Sequence, residues 1–219
     1  IHSMQKVLTA AQMREVDRLT TEKYGIPSII LMENAAHAVA RVITEKLGGS
    51  VKDKSILILC GPGNNGGDGA ALARILWTQG AVVTVDLFGK VADTEGDAKA
   101  NFYELKKLSA GSDATSSIAN LRFREENTSI EDYGFYDWMG QSDYDFSDVV
   151  VDALFGTGLS RKLEDFFTLL ARSLSGWKRN HDTPFIVAVD IPSGLSADIG
   201  TPLGDNIEAH CTVTFTAPK

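Results

Sequence analysis

Residues Lys54–Gly80, KSILILCGPGNNGGDGAALARILWTQG, run from an apolar strand through a glycine-rich turn into a helix. An apolar run without polar alternation needs both faces covered, which suits a parallel strand flanked by helices. Gly61, Gly63 and Gly66 satisfy G-x-G-x-x-G directly after Ile56–Cys60. Asp86 ends a second apolar region about 20 residues on, which is the spacing of a dinucleotide-binding fingerprint. The residues between the glycines argue against a redox cofactor held in the usual way. Asn64, Asn65 and Asp68 fill a turn that usually carries small apolar side chains. Asp68 is expected at the helix start, where its carboxylate would cap the helix and repel a pyrophosphate.

The alternation of strand and helix continues along the chain. Helices are expected over 9–23 with Thr9 as N-cap, over Ser28–Lys46 with Ser28 as cap and Ile30 on the apolar side, over Ala70–Gln79, over Glu95–Leu108 and over Phe166–Lys178. Strands are expected at Ile56–Cys60, Val82–Leu87, Val149–Ala153, Phe185–Val189 and Thr212–Thr216. Residues 111–147 break the pattern. They are polar and acidic with scattered aromatics, among them Tyr133, Phe135, Trp138 and Tyr144, and read as surface structure with at most one short strand. The whole predicts a three-layer α/β/α, Rossmann-like sandwich on a mostly parallel sheet.

A chain of 219 residues is long enough for one such domain with a sizeable core. Ile1-His2-Ser3 ahead of Met4 reads as a cloning remnant, which leaves 4–219 as the domain. A net charge of −8 argues against a nucleic-acid partner. No apolar run is long enough to span a bilayer, and no signal-peptide pattern appears, so a cytoplasmic chain is expected. Cys60 and Cys211 both lie in apolar runs and read as buried thiols of a reducing compartment.

In open parallel sheets ligands bind beyond the carboxyl ends of the strands. Three loops leave such ends here, and all are rich in Gly and Asp: Gly61–Gly69, Asp152–Ser160 (DALFGTGLS) and Asp190–Gly194 (DIPSG). Each alone could be an ordinary βα turn, with Ser193 capping a helix. Gly156-Thr157-Gly158 offers backbone N–H groups suited to phosphate, and Arg161 and Lys162 could balance its charge or simply form a solvated rim. Asp152 and Asp190 each follow an apolar strand, so either carboxyl could titrate high enough to act as acid or base. Asn65, Asp152 and Ser193 offer hard oxygen ligands with one formal charge, a set that suits K⁺ better than zinc. The histidines His2, His37, His181 and His210 show no ligand or triad spacing. Gly67-Asp68 stands where a P-loop needs Lys followed by Ser or Thr.

Taken together, GPGNNGGDG at 61–69, VVDALFGTGL at 150–159, VDIPSGLSAD at 189–198 and LMENAA at 31–36 resemble the YjeF N-terminal domain family of NAD(P)H-hydrate epimerases. Ala36 departs from the glycine that usually ends the last of these. The resemblance implies a Rossmann-like sandwich that forms a homodimer. It implies as substrate NADHX or NADPHX, cofactors hydrated at C6 of the nicotinamide ring, whose R and S forms are interconverted for a partner dehydratase, often fused. By motif, Asn64, Asn65, Gly66, Gly67 and Asp68 would contact substrate together with Gly156, Thr157, Gly158, Leu159, Ser160, Arg161 and Lys162. Asp190 would contact the reacting ring and serve as acid/base, and Asn65, Asp152 and Ser193 would hold K⁺. The chain would then be an excised N-terminal domain. Two other readings compete: a non-catalytic binding module of the same fold, and an NAD-dependent dehydrogenase, which lacks a Tyr-x-x-x-Lys pair here.

Overall fold

A computed structural model describes residues 8–110, 120–126, 128, 134–141, 146–180 and 184–215. Ile1–Ser3, Tyr133, Tyr144, His181, Thr216 and Ala217–Lys219 lie outside the described residues. The elements are α1 (Ala10–Tyr24), α2 (Ser28–Lys46), β1 (Ser55–Cys60), α3 (Asn64–Thr78), β2 (Val82–Phe88), a 3₁₀ turn (Val91–Asp93), α4 (Gly96–Ala110), β3 (Leu121–Glu126), α5 (Gly134–Gln141), β4 (Val149–Ala153), α6 (Asp165–Asn180), β5 (Phe185–Val189) and β6 (Cys211–Val213). The sheet has the order β3-β2-β1-β4-β5-β6, and every pairing is parallel. The expected three-layer architecture is therefore present. Connections reverse direction between β1 and β4, which makes that gap the topological switch point.

Alternation along β1 explains the two layers. Ile56, Ile58 and Cys60 point into a core with Ala36, Val39 and Ile43 of α2, Leu72 and Leu76 of α3, and Phe102 of α4. Leu57 and Leu59 point the other way, toward Phe135 and Trp138 of α5 and Phe166, Leu170 and Leu174 of α6. Strands covered on both faces read in sequence as unbroken apolar runs.

Several expectations need correction. Helix α3 begins at Asn64, not Ala70, with Gly63 as its N-cap. Its glycines serve packing rather than loop freedom. A Cβ on Gly66 would lie 1.8 Å from the Gly61 carbonyl oxygen, and one on Gly67 would lie 2.9 Å from both Ala98 Cβ and Met32 Cε. Met32 of the LMENAA segment thus meets the glycine motif directly. Ser28 is the first residue of α2 and Pro27 its N-cap, with no side-chain capping bond, and Ile30 is exposed. Thr9 does cap α1, in a reciprocal box with Gln12. Within 111–147, β3 joins the sheet as an edge strand, and α5 buries Phe135 and Trp138. Its polar outer residues hid both from periodicity. Cys60 is fully buried, and burial pushes its thiol well up. Cys211 is only half-buried, because β6 is the opposite edge strand.

Candidate active site at the switch point

The carboxyl ends of β1, β4 and β5 deliver the three glycine- and aspartate-rich segments to one place. Asp190 follows β5 in the left-handed region, with φ at 68°. A non-glycine residue there costs on the order of 1 kcal/mol or more and persists where its surroundings over-determine it. Its N–H donates to the Val213 carbonyl at 2.8 Å, which anchors the turn to β6. Its Oδ2 accepts from the Thr157 N–H at 3.3 Å, tying the third loop to the second. A Cβ on Gly156 would lie 3.1 Å from Asp190 Oδ2 and 3.2 Å from Asn65 Oδ1. Gly156 therefore keeps open the space between a carboxylate that follows β5 and an amide on the first turn of α3.

Behind this space lies a second polar pair. Asp152 ends β4 and is completely buried. Its Oδ1 accepts from Ser193 Oγ at 2.6 Å, and its Oδ2 from the Ser193 N–H at 2.8 Å. Ser193 Oγ in turn accepts from the Phe155 N–H at 3.0 Å. Among the described residues no Lys or Arg pairs with Asp152, and burial, only partly offset by these bonds, pushes its carboxyl up to about 6. A buried carboxylate among oxygen donors with no cationic side chain fits a monovalent cation in charge and ligand type. No cluster of three or more His, Cys, Asp or Glu occurs among the described residues, which fits zinc poorly.

Asn65 stands on the first turn of α3 and is 8% exposed, and its Nδ2 has no hydrogen-bond partner. Asn64 is exposed, and Gly66 and Gly67 are buried. Asp68 is the fifth residue of α3, half-buried, so it does not cap the helix as expected. The early glycines are helical because they pack, and this moves the helix start ahead of it. The open first turn faces a groove of about 410 Å³ lined by Pro62, Gly63, Asn64, Asp93, Glu95 and Ala98. Gly158, Ser160, Arg161 and Lys162 are exposed and Leu159 half-buried, along a rim where Lys162 Cβ backs against Gly204. A wider groove along α2, with His37, Arg41 and Gln79, contains none of the loop residues.

Asp86 does not join the site. It is fully buried and accepts from Arg124 Nε at 2.7 Å, Arg124 Nη2 at 2.9 Å and Trp138 Nε1 at 2.8 Å. The acidic residue of the fingerprint therefore anchors β3 and α5 and is closed to a ribose. Sequence reasoning missed Arg124 for want of any local motif. Asp198, the last residue of VDIPSGLSAD, carries no role in the sequence reading; its Oδ1 accepts from the Ala10 N–H at 2.9 Å and ties α1 to the segment after the third loop.

The sequence model described as YjeF-related protein N-terminus matches residues 28–219. The chain belongs to this family. Among its relatives, the bifunctional NAD(P)H-hydrate repair enzyme Nnr of Moorella thermoacetica is 38% identical, over 97% of this chain and 36% of that protein. The NAD(P)H-hydrate epimerase of Leuconostoc citreum is 34% identical, over 96% of this chain and 79% of that one. The crystal structure of yeast ynu0, YNL200c, superposes with a TM-score of 0.75 at 26% identity, covering 98% of this chain and 82% of the other. The chain thus spans about a third of the length of its bifunctional relatives. Among the described residues no helix of this YjeF-family domain is long and apolar enough to cross a membrane.

Proposed function

We propose that residues 4–219 form an NAD(P)H-hydrate epimerase domain that interconverts the R and S forms of NADHX or NADPHX. One observation carries the reading: Asp190, held in a left-handed turn, opposes the Asn65 amide across the open space over Gly156. A carboxylate fixed beside a cavity can take up the proton of the C6 hydroxyl while a bond at C6 opens, and return it when that bond re-forms on the other face. Asn64–Asp68 and Gly156–Lys162 would bind the rest of the dinucleotide. The S form would pass to a dehydratase, on the same chain or another. A soluble dinucleotide substrate accords with a cytoplasmic place. The homodimer that the family resemblance implies is checked by sedimentation velocity. The deciding test is turnover of purified R-NADHX, with the epimers separated by chromatography. No conversion above the spontaneous rate, with a nicotinamide dinucleotide still bound, would favour the binding-module reading.

Asn65, Asp152 and Ser193 would hold K⁺. Bound there, the ion would supply positive charge beside the buried Asp152 carboxylate and brace the second and third loops. Potassium is expected to raise the melting temperature over tetramethylammonium at equal ionic strength. At 100 times Kd the gain is about 2.7 kcal/mol. Asp152→Asn should abolish the difference. An equal melting temperature in both salts, with no anomalous peak in Rb⁺- or Tl⁺-soaked crystals, would count against the ion.

The phosphates would lie along Gly156–Lys162. Asp93 and Glu95 line the groove at the α3 N-terminus and disfavour an anion there, whereas Arg161 and Lys162 are exposed and carry the opposite charge. Replacing Arg161 and Lys162 together by Ala should leave the melting temperature of the free protein within about 2 °C, as exposed changes usually do. Ligand stabilisation should fall. An unchanged ligand shift in the double variant would reject this placement.

A further inference from the structure

A dinucleotide bound across a switch point has one nucleoside over each half of the sheet. Asp190 follows β5, Gly156 follows β4 and Pro62 follows β1, so these segments step along one edge toward β2. Neighbouring strands lie about 4.8 Å apart, which sets the end of β2 roughly 14 Å from that of β5. An extended dinucleotide covers that distance. At the β2 end opens the groove of about 410 Å³ lined by Pro62, Gly63, Asn64, Asp93, Glu95 and Ala98. Folds of this kind read the adenosine ribose with an acidic residue near the end of the second strand, which accepts from the 2′-hydroxyl. Asp86 has that spacing but is closed behind Arg124 and Trp138. Asp93 and Glu95 stand a few residues further on, exposed, and both line the groove. Their places are fixed from beneath. Val91 and Thr94 are buried, the Val91 N–H donates to Glu125 Oε1 at 2.7 Å, and Thr94 Oγ1 donates to the Val91 carbonyl at 2.7 Å.

We infer that Asp93 and Glu95, in the groove beyond β2, take the ribose-reading place that Asp86 has left and make the site prefer NADHX over NADPHX. The inference rests on the epimerase reading and narrows its substrate. With the nicotinamide at Asp190, the adenosine lies in this groove, where the ribose hydroxyls of NADHX donate to carboxylates. The 2′-phosphate of NADPHX brings about two negative charges against two more. Lys90 and Lys99 stand next to this segment, the latter with its Nζ on the Ala92 carbonyl at 3.3 Å, but neither lines the groove. Like charges set face to face in this way are how a site turns away a near-identical ligand.

The test measures Kd for NADHX and for NADPHX by calorimetry on the whole chain, for the unmodified protein and for Asp93→Asn combined with Glu95→Gln. In low salt the unmodified protein should prefer NADHX by about 10-fold, since the repulsion acts at a solvated rim. In the double variant NADPHX should bind more tightly than before and the ratio should fall toward one. A merely structural role for the two carboxylates would weaken both ligands instead. At about 1 M salt, where screening sets in beyond about 3 Å, the preference of the unmodified protein should shrink. Equal or tighter binding of NADPHX by the unmodified protein overturns the inference, and so does a ratio that the double variant leaves unchanged. Should that variant fail to fold, salt decides: a preference that does not respond to it rejects the carboxylates. Failure of the epimerase reading looks different: the ratio behaves as stated, yet R-NADHX is not converted. If neither hydrate binds, both fall.

Discussion

Asp190→Asn is expected to lower epimerisation by about 10²- to 10⁴-fold, the usual worth of a positioned acid/base group. The substitution keeps the side-chain shape, and asparagine tolerates the left-handed backbone that Asp190 adopts. The bond from its N–H to Val213 is unaffected. The variant should therefore fold and bind ligand while losing turnover, so kcat falls far more than KM rises. Chromatography of the two epimers, corrected for the spontaneous rate, checks this. Activity near that of the unmodified protein would remove Asp190 from the chemistry.

Asp86→Ala should destabilise the fold by about 3–5 kcal/mol, because breaking a buried pair strands its partners. Arg124 would lose both of its bonds to Asp86, and the Trp138 Nε1–H would lose its acceptor. Arg124 is 27% exposed and can recover some hydration, which favours the lower end of the range. Glu126 should feel the change too. Its carboxyl is raised first by burial and then by the Asp86 charge, so it should titrate lower in the variant. A fall in melting temperature on the order of 10 °C is expected for a chain of this size. The fraction still folded should bind nicotinamide dinucleotides as before. A stable variant with weakened dinucleotide affinity would instead return Asp86 to the ribose-reading role that its spacing suggests.

Asp86 and Asp190 mark the boundary between what the chain's text reveals and what it hides. Both follow apolar runs, and both have the type and position of functional carboxylates. Only Asp190 stands among the three loops, where its Oδ2 accepts from the Thr157 N–H. The difference lies in β3 and α5, whose residues cover Asp86, and neither element has the periodicity that would announce it. β3 packs one face of an edge strand, and α5 has only eight residues. The α3 boundary failed for a related reason. Glycine has low helix propensity, so GNNGGDG reads locally as a loop. Close packing of its glycines against Met32, Ala98 and Ala153, all distant in sequence, leaves no room for a side chain and accompanies the helix.

The sequence by itself determined the layered parallel fold, since runs such as Ile56–Cys60 and Val149–Ala153 are apolar on both faces and can be satisfied only between helices. It also marked three segments rich in Gly, Asp and Asn as the candidate site, because each follows the carboxyl end of a parallel strand. Tertiary structure alone decided the surroundings of each polar side chain. It closed Asp86 behind Arg124 and Trp138, moved Asp68 away from the helix cap, paired Ser193 with Asp152, and placed the Asn65 amide opposite Asp190. Local sequence sets which groups are available, but burial and the partner of each polar atom depend on residues far apart in the chain, and these fix whether a carboxylate anchors the fold or faces a ligand.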